Sequence, residues 1–128
     1  MTVQRTLSNP TVEVDNETIA IIPNSLSYKK GLGDKDVKAQ SAGGNAIEVV
    51  VTENAETKIS MVKFKLFNTK ANFDLLNAWL DKRTGFGIQL SEGDLTESFR
   101  NMVTTTEPER MIGADGELEV EFKGQPVL

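Results

Sequence analysis

The sequence predicts a mainly β domain, an antiparallel β-sandwich or partly open barrel with one flanking α-helix. Three observations carry this. Short β-branched segments recur along the chain, separated by residue pairs that favour turns. A single stretch, 69–83, has apolar residues at helical spacing. Residues 117–123 alternate apolar and charged side chains without a fault, the pattern of a half-buried antiparallel strand. The order is strands, one helix, then strands, and no repeat or linker divides the 128 residues into more than one domain.

Residues 1–10 are polar, end in Asn9-Pro10 and read as an arm outside the core. The β-branched segments 11–14 and 17–22 are joined by Asp15-Asn16, residue types that tolerate the positive φ of a tight hairpin turn. Pro23-Asn24 closes the second of them, and 25–30 is a third strand with Leu26 and Tyr28 on one face. Residues 31–36 form a turn-rich link, 37–40 the returning arm of a long hairpin, and 41–45 (Ser-Ala-Gly-Gly-Asn) a flexible break. The unbroken β-branched run 47–52 suits a strand buried on both faces. In the longest strand pattern, 58–67, Ile59 and Met61 share one phase while Val62, Phe64 and Leu66 share the other. Either a β-bulge near Met61-Val62 or partial burial of both faces accounts for this.

The helix is capped by Thr69 or Asn68, presents Phe73, Leu76, Trp79 and Leu80 on one stripe, and ends with Lys82 and Arg83 complementing its dipole before Gly85 stops it. Residues 88–91 and 95–105 flank Glu92-Gly93-Asp94 as a hairpin, with Leu95, Phe99 and Val103 inward and Arg100 and Met102 on the other face. Residues 107–116 connect to the last strand, where Leu118, Val120 and Phe122 face the core and Glu117, Glu119, Glu121 and Lys123 face out. The expected core anchors are therefore Phe64, Leu66, Phe73, Leu76, Trp79, Phe99, Leu118, Val120 and Phe122, with the single tryptophan joining helix to sheet.

Composition argues against catalysis. There is no Cys, so no disulfide framework and no thiolate metal site. There is no His, which removes the commonest general base near neutral pH and the commonest metal ligand. The net charge of −5 and sequence pI near 4.8 do not suit a clamp on DNA phosphates. They keep a small protein soluble, and they also suit a surface that DNA slides past. No apolar run approaches the roughly 18 residues of a membrane span, and residues 1–10 lack the apolar core of a signal peptide. Gly31 and Gly33 lack the third glycine and the following helix of a dinucleotide fingerprint and read as turn residues. Asp115-Gly116-Glu117 and Glu92-Gly93-Asp94 lack the ligand spacing of a calcium loop. Glu117, Glu119 and Glu121 read as a solvated strand face, with an acidic strip lining a pore as the alternative. No cofactor and no metal are implied. The long, Gly-rich, polar segment 29–45 stands apart, as an extended hairpin suited to docking on a neighbouring subunit.

Several of these stretches, in this order, resemble a known family. Asn9-Pro10-Thr11-Val12 runs into a hairpin, followed by Ile22-Pro23-Asn24-Ser25-Leu26 and a Gly-rich turn. Then come Lys38-Ala39-Gln40-Ser41-Ala42-Gly43-Gly44, a β-branched strand, a long strand, one amphipathic helix and a closing alternating strand. Over about residues 9–123 this is similar to the tail tube proteins of tailed bacteriophages. The resemblance implies homohexameric rings stacked into a hollow tube that conducts DNA without binding it specifically. It implies a virion location, with host cytoplasm during assembly, and sheath, tape measure, baseplate and tail terminator proteins as partners, with a contractile tail favoured. By position it assigns ring-to-ring contact to Lys29, Lys30, Leu32, Asp34, Lys35, Asp36, Lys38 and Gln40 in the long loop, and to Arg5 and Leu7 in the arm. The related inner tube of a contractile secretion system is one alternative. A carbohydrate-binding sandwich, which would present exposed aromatics, is a second, and an enzyme using two converging carboxylates is a third.

Overall fold

The computed structural model describes residues 10–113 and 115–127. Its strands are β1 (Thr11–Val14), β2 (Glu17–Ile19), β3 (Ser27–Lys29), β4 (Asp34–Gly43), β5 (Ala46–Asn54), β6 (Ser60–Phe67), β7 (Phe86–Glu92), β8 (Leu95–Thr104) and β9 (Glu117–Gly124). The single α-helix, α1, spans Lys70–Asp81, and a 3₁₀ turn, Ala55–Thr57, links β5 to β6. Seven strands form one antiparallel sheet in the order β2-β1-β7-β8-β9-β6-β3, and β4 and β5 form a separate two-stranded sheet.

Asp15 and Asn16 take φ of 50° and 68°, the paired positive values of a type I′ turn, and this fixes the β1–β2 register. The large sheet folds over itself at β8. The first part of β8 pairs with β7, while Val103 and Thr104 pair with β9. The change of partner coincides with a bulge: Ile88 faces Phe99 but Phe86 faces Met102, so β8 holds one extra residue there. Asn101, at φ 54°, lies in that bulge. A Cβ on Gly85 would lie 2.5 Å from Asn101 Cα, and one on Gly124 would lie 2.5 Å from Asn101 O. Only glycine permits both approaches, and both neighbours of the bulge are glycine.

The bulge corrects the expected facing of β8. Met102 is fully buried beside Phe99, not on the opposite face, while Leu95 at the strand's start is exposed. A strict period of two cannot anticipate an inserted residue. The same lesson applies in reverse to β6, which pairs with β9 through its whole length without a register shift. Ser60, Val62, Phe64 and Leu66 are buried on one phase, and Ile59 lies before the strand. No bulge is present; the second alternative holds in part, since Met61 on the other phase is half-buried, while Ile59 precedes the strand and the in-phase position is held by Ser60, whose hydroxyl donates to Gln125 O at 2.6 Å. Gly85 is likewise not the helix stop. The helix ends where Lys82 turns extended, and Gly85 serves the close approach to Asn101.

The core lies between the two halves of the folded sheet and under α1. Thr69 caps the helix by accepting Asn72 N–H at 3.2 Å. Leu76 and Trp79 are buried, and Phe73 and Leu75 pack against the same cluster. The Trp79 ring lies 6.5 Å from Phe64, 6.1 Å from Phe86 and 5.4 Å from Phe122, between centroids. Leu66, Phe99, Leu118 and Val120 complete the interior. On the far side the Tyr28 ring meets Phe99 edge-on at 5.9 Å, and Lys30 pairs with Glu97 at 3.1 Å, drawing edge strand β3 toward the β7–β8 hairpin.

Past its last helical turn, Lys82 lies over the Phe86 ring at 4.0 Å and bonds Asp15 at 2.5 Å. Asp15 also accepts Gly87 N–H at 2.9 Å. The lysine therefore ties the helix end to the β1–β2 turn rather than only complementing the dipole. The Lys82 bond first, then the Gly87 N–H, hold the Asp15 carboxyl below its ordinary value of 3.8.

Two outcomes follow. Trp79→Ala removes contacts to three strands and should lower unfolding free energy by about 3–5 kcal/mol, as read by urea denaturation. A depressed folded-state pKa for Asp15 contributes stability above pH 3.8, and that contribution is lost as pH falls through the lower folded value. Asp15→Asn should accordingly be less stable than the parent at pH 7, with the gap closing at acid pH, in paired denaturation curves at pH 7 and pH 3.

Candidate self-assembly surface

The β4–β5 hairpin is built from ordinary strand chemistry but has no core to lie on. Its ladder runs from Asp34↔Asn54 to Ser41↔Ile47, with an irregularity between Ser41 and Gly43 before the tip. Residues 41–43 thus belong to β4 and Gly44-Asn45 make the turn, so the expected flexible break is the hairpin tip. The ribbon makes no more than marginal contact with any other strand or with α1. Its base is fixed: Thr57 Oγ1 accepts Asp34 N–H at 2.6 Å and donates to Asn54 O at 2.7 Å. Lys58 pairs with Glu53 at 3.1 Å and holds the Glu53 carboxyl below its usual range.

Strand alternation sorts the hairpin into two faces. Val37, Ala39, Val49, Val51 and Ile47 share one phase; Asp36, Lys38, Gln40, Glu48 and Thr52 share the other, with Val50. Ile47 is 72% exposed, Val49 60% and Val51 56%. The expectation that 47–52 is buried on both faces is therefore corrected: within one chain it is buried on neither. The β-branched run marks a strand, and pattern alone does not say whether its cover comes from the same molecule.

Of the residues singled out from sequence, Asp34, Lys35, Asp36, Lys38 and Gln40 all lie on β4 and are exposed. Lys29 ends β3, Lys30 is held by Glu97, and Leu32 is exposed in the link between β3 and β4. Arg5 and Leu7 lie outside the described residues. The structure gives the apolar face to β5 as much as to β4, and Ile47, Val49 and Val51 were missed as contact residues. The available signal was that Ile47, Val49 and Val51 recur at every second position beside a mostly polar partner strand.

A second surface lies over the outward faces of β6 and β9. An open cleft of about 1530 Å³ is lined there by residues of both strands, by Ile22, Ser25 and Ser27 on one side and by Thr104, Glu107, Glu109, Met111 and Asp115 among those on the other. The acidic strip of β9 is not free. Lys63 pairs with Glu121 at 3.7 Å and Lys65 with Glu117 at 3.0 Å, which raises the Lys65 pKa. The face reads as interleaved charge, not as an acidic lining. Phe67 sits at the helix end of the cleft, beside Asn68, whose Nδ2 donates to Met111 O at 2.9 Å. Met111 is 73% exposed and its neighbour Ile112 is 85% exposed.

Among the described residues no three acidic side chains group as a metal site, and no helix is long and apolar enough to cross a membrane. Gly31 and Gly33 both take positive φ in a turn. No family model matches the chain, and no curated protein matches it.

A two-stranded ribbon standing alone is marginally stable in water. In dilute monomer the amides of β4 and β5 should exchange with solvent far faster than those of β6 and β9. On self-association they should gain protection, as measured by hydrogen–deuterium exchange across a concentration series.

Proposed function

We propose that this chain is a structural subunit that assembles with copies of itself into stacked rings forming a tube, of the kind that makes the tail tube of tailed bacteriophages. The observation that carries the reading is the β4–β5 hairpin, which projects from a fully formed core with its apolar face uncovered. An isolated patch of this kind on a soluble chain marks an interaction site. Among the described residues the outer edges of β2 and β3 end the large sheet and, like the hairpin edges, have no strand partner, which leaves them suited to pairing with a neighbour. A head-to-tail contact that closes makes a ring, and ring stacking makes a tube. The resemblance in strand order, helix position and Gly-rich turn supports the same reading, and the absence of His and Cys from the sequence fits a role carried by surfaces. A carbohydrate-binding role draws less support: among the described residues Phe67 is the one exposed aromatic ring.

On this reading DNA passes through the lumen without specific contact. Sheath, tape measure, baseplate and terminator proteins would meet the outside, inside and ends of the tube. Negative-stain microscopy of the purified full-length chain should show rings or tubes with six-fold symmetry. A strictly monodisperse monomer that never polymerises, with or without tail-tip partners, would overturn the proposal.

A further inference from the structure

Among the described residues Ser60 is the one buried polar side chain. A hydroxyl in an apolar core is costly unless it is bonded, so its partner is informative. Ser60 opens β6 and lies opposite Gly124 at the end of β9. Its hydroxyl donates to Gln125 O at 2.6 Å, just past that strand. Its other contact is Met102 Sδ at 3.2 Å, a thioether that accepts only weakly.

The residues that follow β9, 125–127, pair with no strand, yet each N–H they have is used. Gln125 N–H donates to Arg100 O at 3.3 Å, and Val127 N–H donates to Lys30 O at 2.8 Å. Pro126 between them has no N–H to satisfy, and it disfavours helical backbone at Gln125. The Gln125 side chain accepts from Asn101 Nδ2 at 2.8 Å, at the positive-φ residue of the β8 bulge. Val127 is half-buried against the core. These residues thus join the bulge, the start of β6 and the link between β3 and β4.

That link is the root of the hairpin. Gly31 is buried against the backbone of Ile59 and Ser60, so close that a Cβ would lie 2.7 Å from Ser60 N. Three residues on, Asp34 N–H donates to Thr57 Oγ1. The incoming root, through Gly31, and the outgoing root, through Ile59, therefore meet at Ser60, whose hydroxyl holds Gln125.

We propose that 125–127 is a strap, pinned by the Ser60 hydroxyl, that locks the root of the β4–β5 hairpin, so that strap and root open and close as one unit. The strap is releasable because four hydrogen bonds hold it and no strand ladder does. Its release reaches the hairpin because opening takes the partner from Lys30 O, beside Gly31, and leaves the Ser60 hydroxyl with Met102 Sδ alone. On the self-assembly reading the lock sets the angle at which the ribbon leaves the core; the lock itself does not depend on that reading.

Hydrogen–deuterium exchange of the full-length chain, at dilute monomer concentration, tests this. Val127→Pro deletes the N–H bonded to Lys30 O, whereas Val127→Ala keeps that N–H and trims the side chain. Ser60→Ala deletes the pin. Val14→Ala weakens the core at β1, away from the strap. Val127→Pro and Ser60→Ala should each speed exchange in segments 30–35 and 55–59 by about two- to tenfold, the effect of losing one ordinary hydrogen bond. Val127→Ala and Val14→Ala should leave both segments near the parent rate.

Unchanged exchange at the root in Val127→Pro overturns the proposal. So does a Val14→Ala chain that matches Ser60→Ala there, since root exchange would then follow global stability. The double variant of Ser60→Ala with Val127→Pro should fall short of the product of the single effects, because a strap released once has little left to release. A full product means two independent anchors and overturns the single unit. Failure of the tube reading looks different: a parent that forms no rings or tubes sinks that reading and leaves the exchange pattern, and the strap with it, standing.

Discussion

The fold depends on the position of Trp79. The large sheet bends through β8, so its two halves need something to hold them at their separation. Trp79 touches Phe64 on β6, Phe122 on β9 and Phe86 on β7, which are strands on either side of the bend. One ring on the helix thus ties both halves to α1. Phe64 and Phe122 stack at 6.0 Å, and Phe86 meets Phe122 edge-on at 5.8 Å, so the aromatic set is continuous. Such contacts contribute about 0.5–1.5 kcal/mol each beyond the area they bury. At the end of the helix, the Lys82 bond to Asp15 ties α1 to the β1–β2 turn. The bulge at Asn101 is the counterpart in the backbone, since it lets β8 change partners while keeping Phe99 and Met102 both inside.

Because that core is complete without β4 and β5, the hairpin's existence needs a separate explanation. Every residue of β4 is exposed, and so is β5 up to its last residue. Ordering a residue costs about 1–2 kcal/mol of backbone entropy, and an isolated ribbon recovers little of it through burial. A ribbon with one apolar face recovers far more if that face is covered, at roughly 25 cal/mol for each Å² removed from water. The protein also ties the ribbon's base down, through Thr57 and the Lys58–Glu53 pair, which sets the direction in which it projects. A firm base with an uncovered shaft is what the proposed assembly role requires of this element.

How far all this was legible in the sequence differs by element, and the reasons are physical. The Asp15-Asn16 turn, the Thr69 cap and the alternation of β9 were readable because each is set by local chemistry: positive φ, an unsatisfied helix N–H, a period of two. The inward place of Met102 was not, because a bulge inserts a residue wherever tertiary packing requires one, and its glycine neighbours Gly85 and Gly124 are distant in sequence. Ser60 was missed because a buried hydroxyl bonded to Gln125 looks polar in a hydropathy pattern. For the candidate surface, the polar half on β4 was legible and the apolar half on β5 was misassigned to the core. Met111 and Ile112 were placed in the 107–116 connection without a side, since two apolar residues in a turn-rich connection have no periodicity to reveal it.

The misassignment of β5 bears on function. A hydropathy pattern reports that a face avoids water; it does not report whose atoms replace the water. For Ile47, Val49 and Val51 exposure shows that the core formed by the described residues does not cover them, and on the proposed reading another molecule does. An arbitrary partner would leave the second apolar patch, around Phe67 and Ile112, needing a further explanation. On the proposed self-assembly a second copy of the same chain would cover both, and because the two patches lie on different elements such a contact would have direction. Direction is what separates a growing assembly from a closed dimer. The structural-subunit reading therefore rests less on what the chain lacks for catalysis than on two unlike surfaces, each incomplete, carried by one molecule.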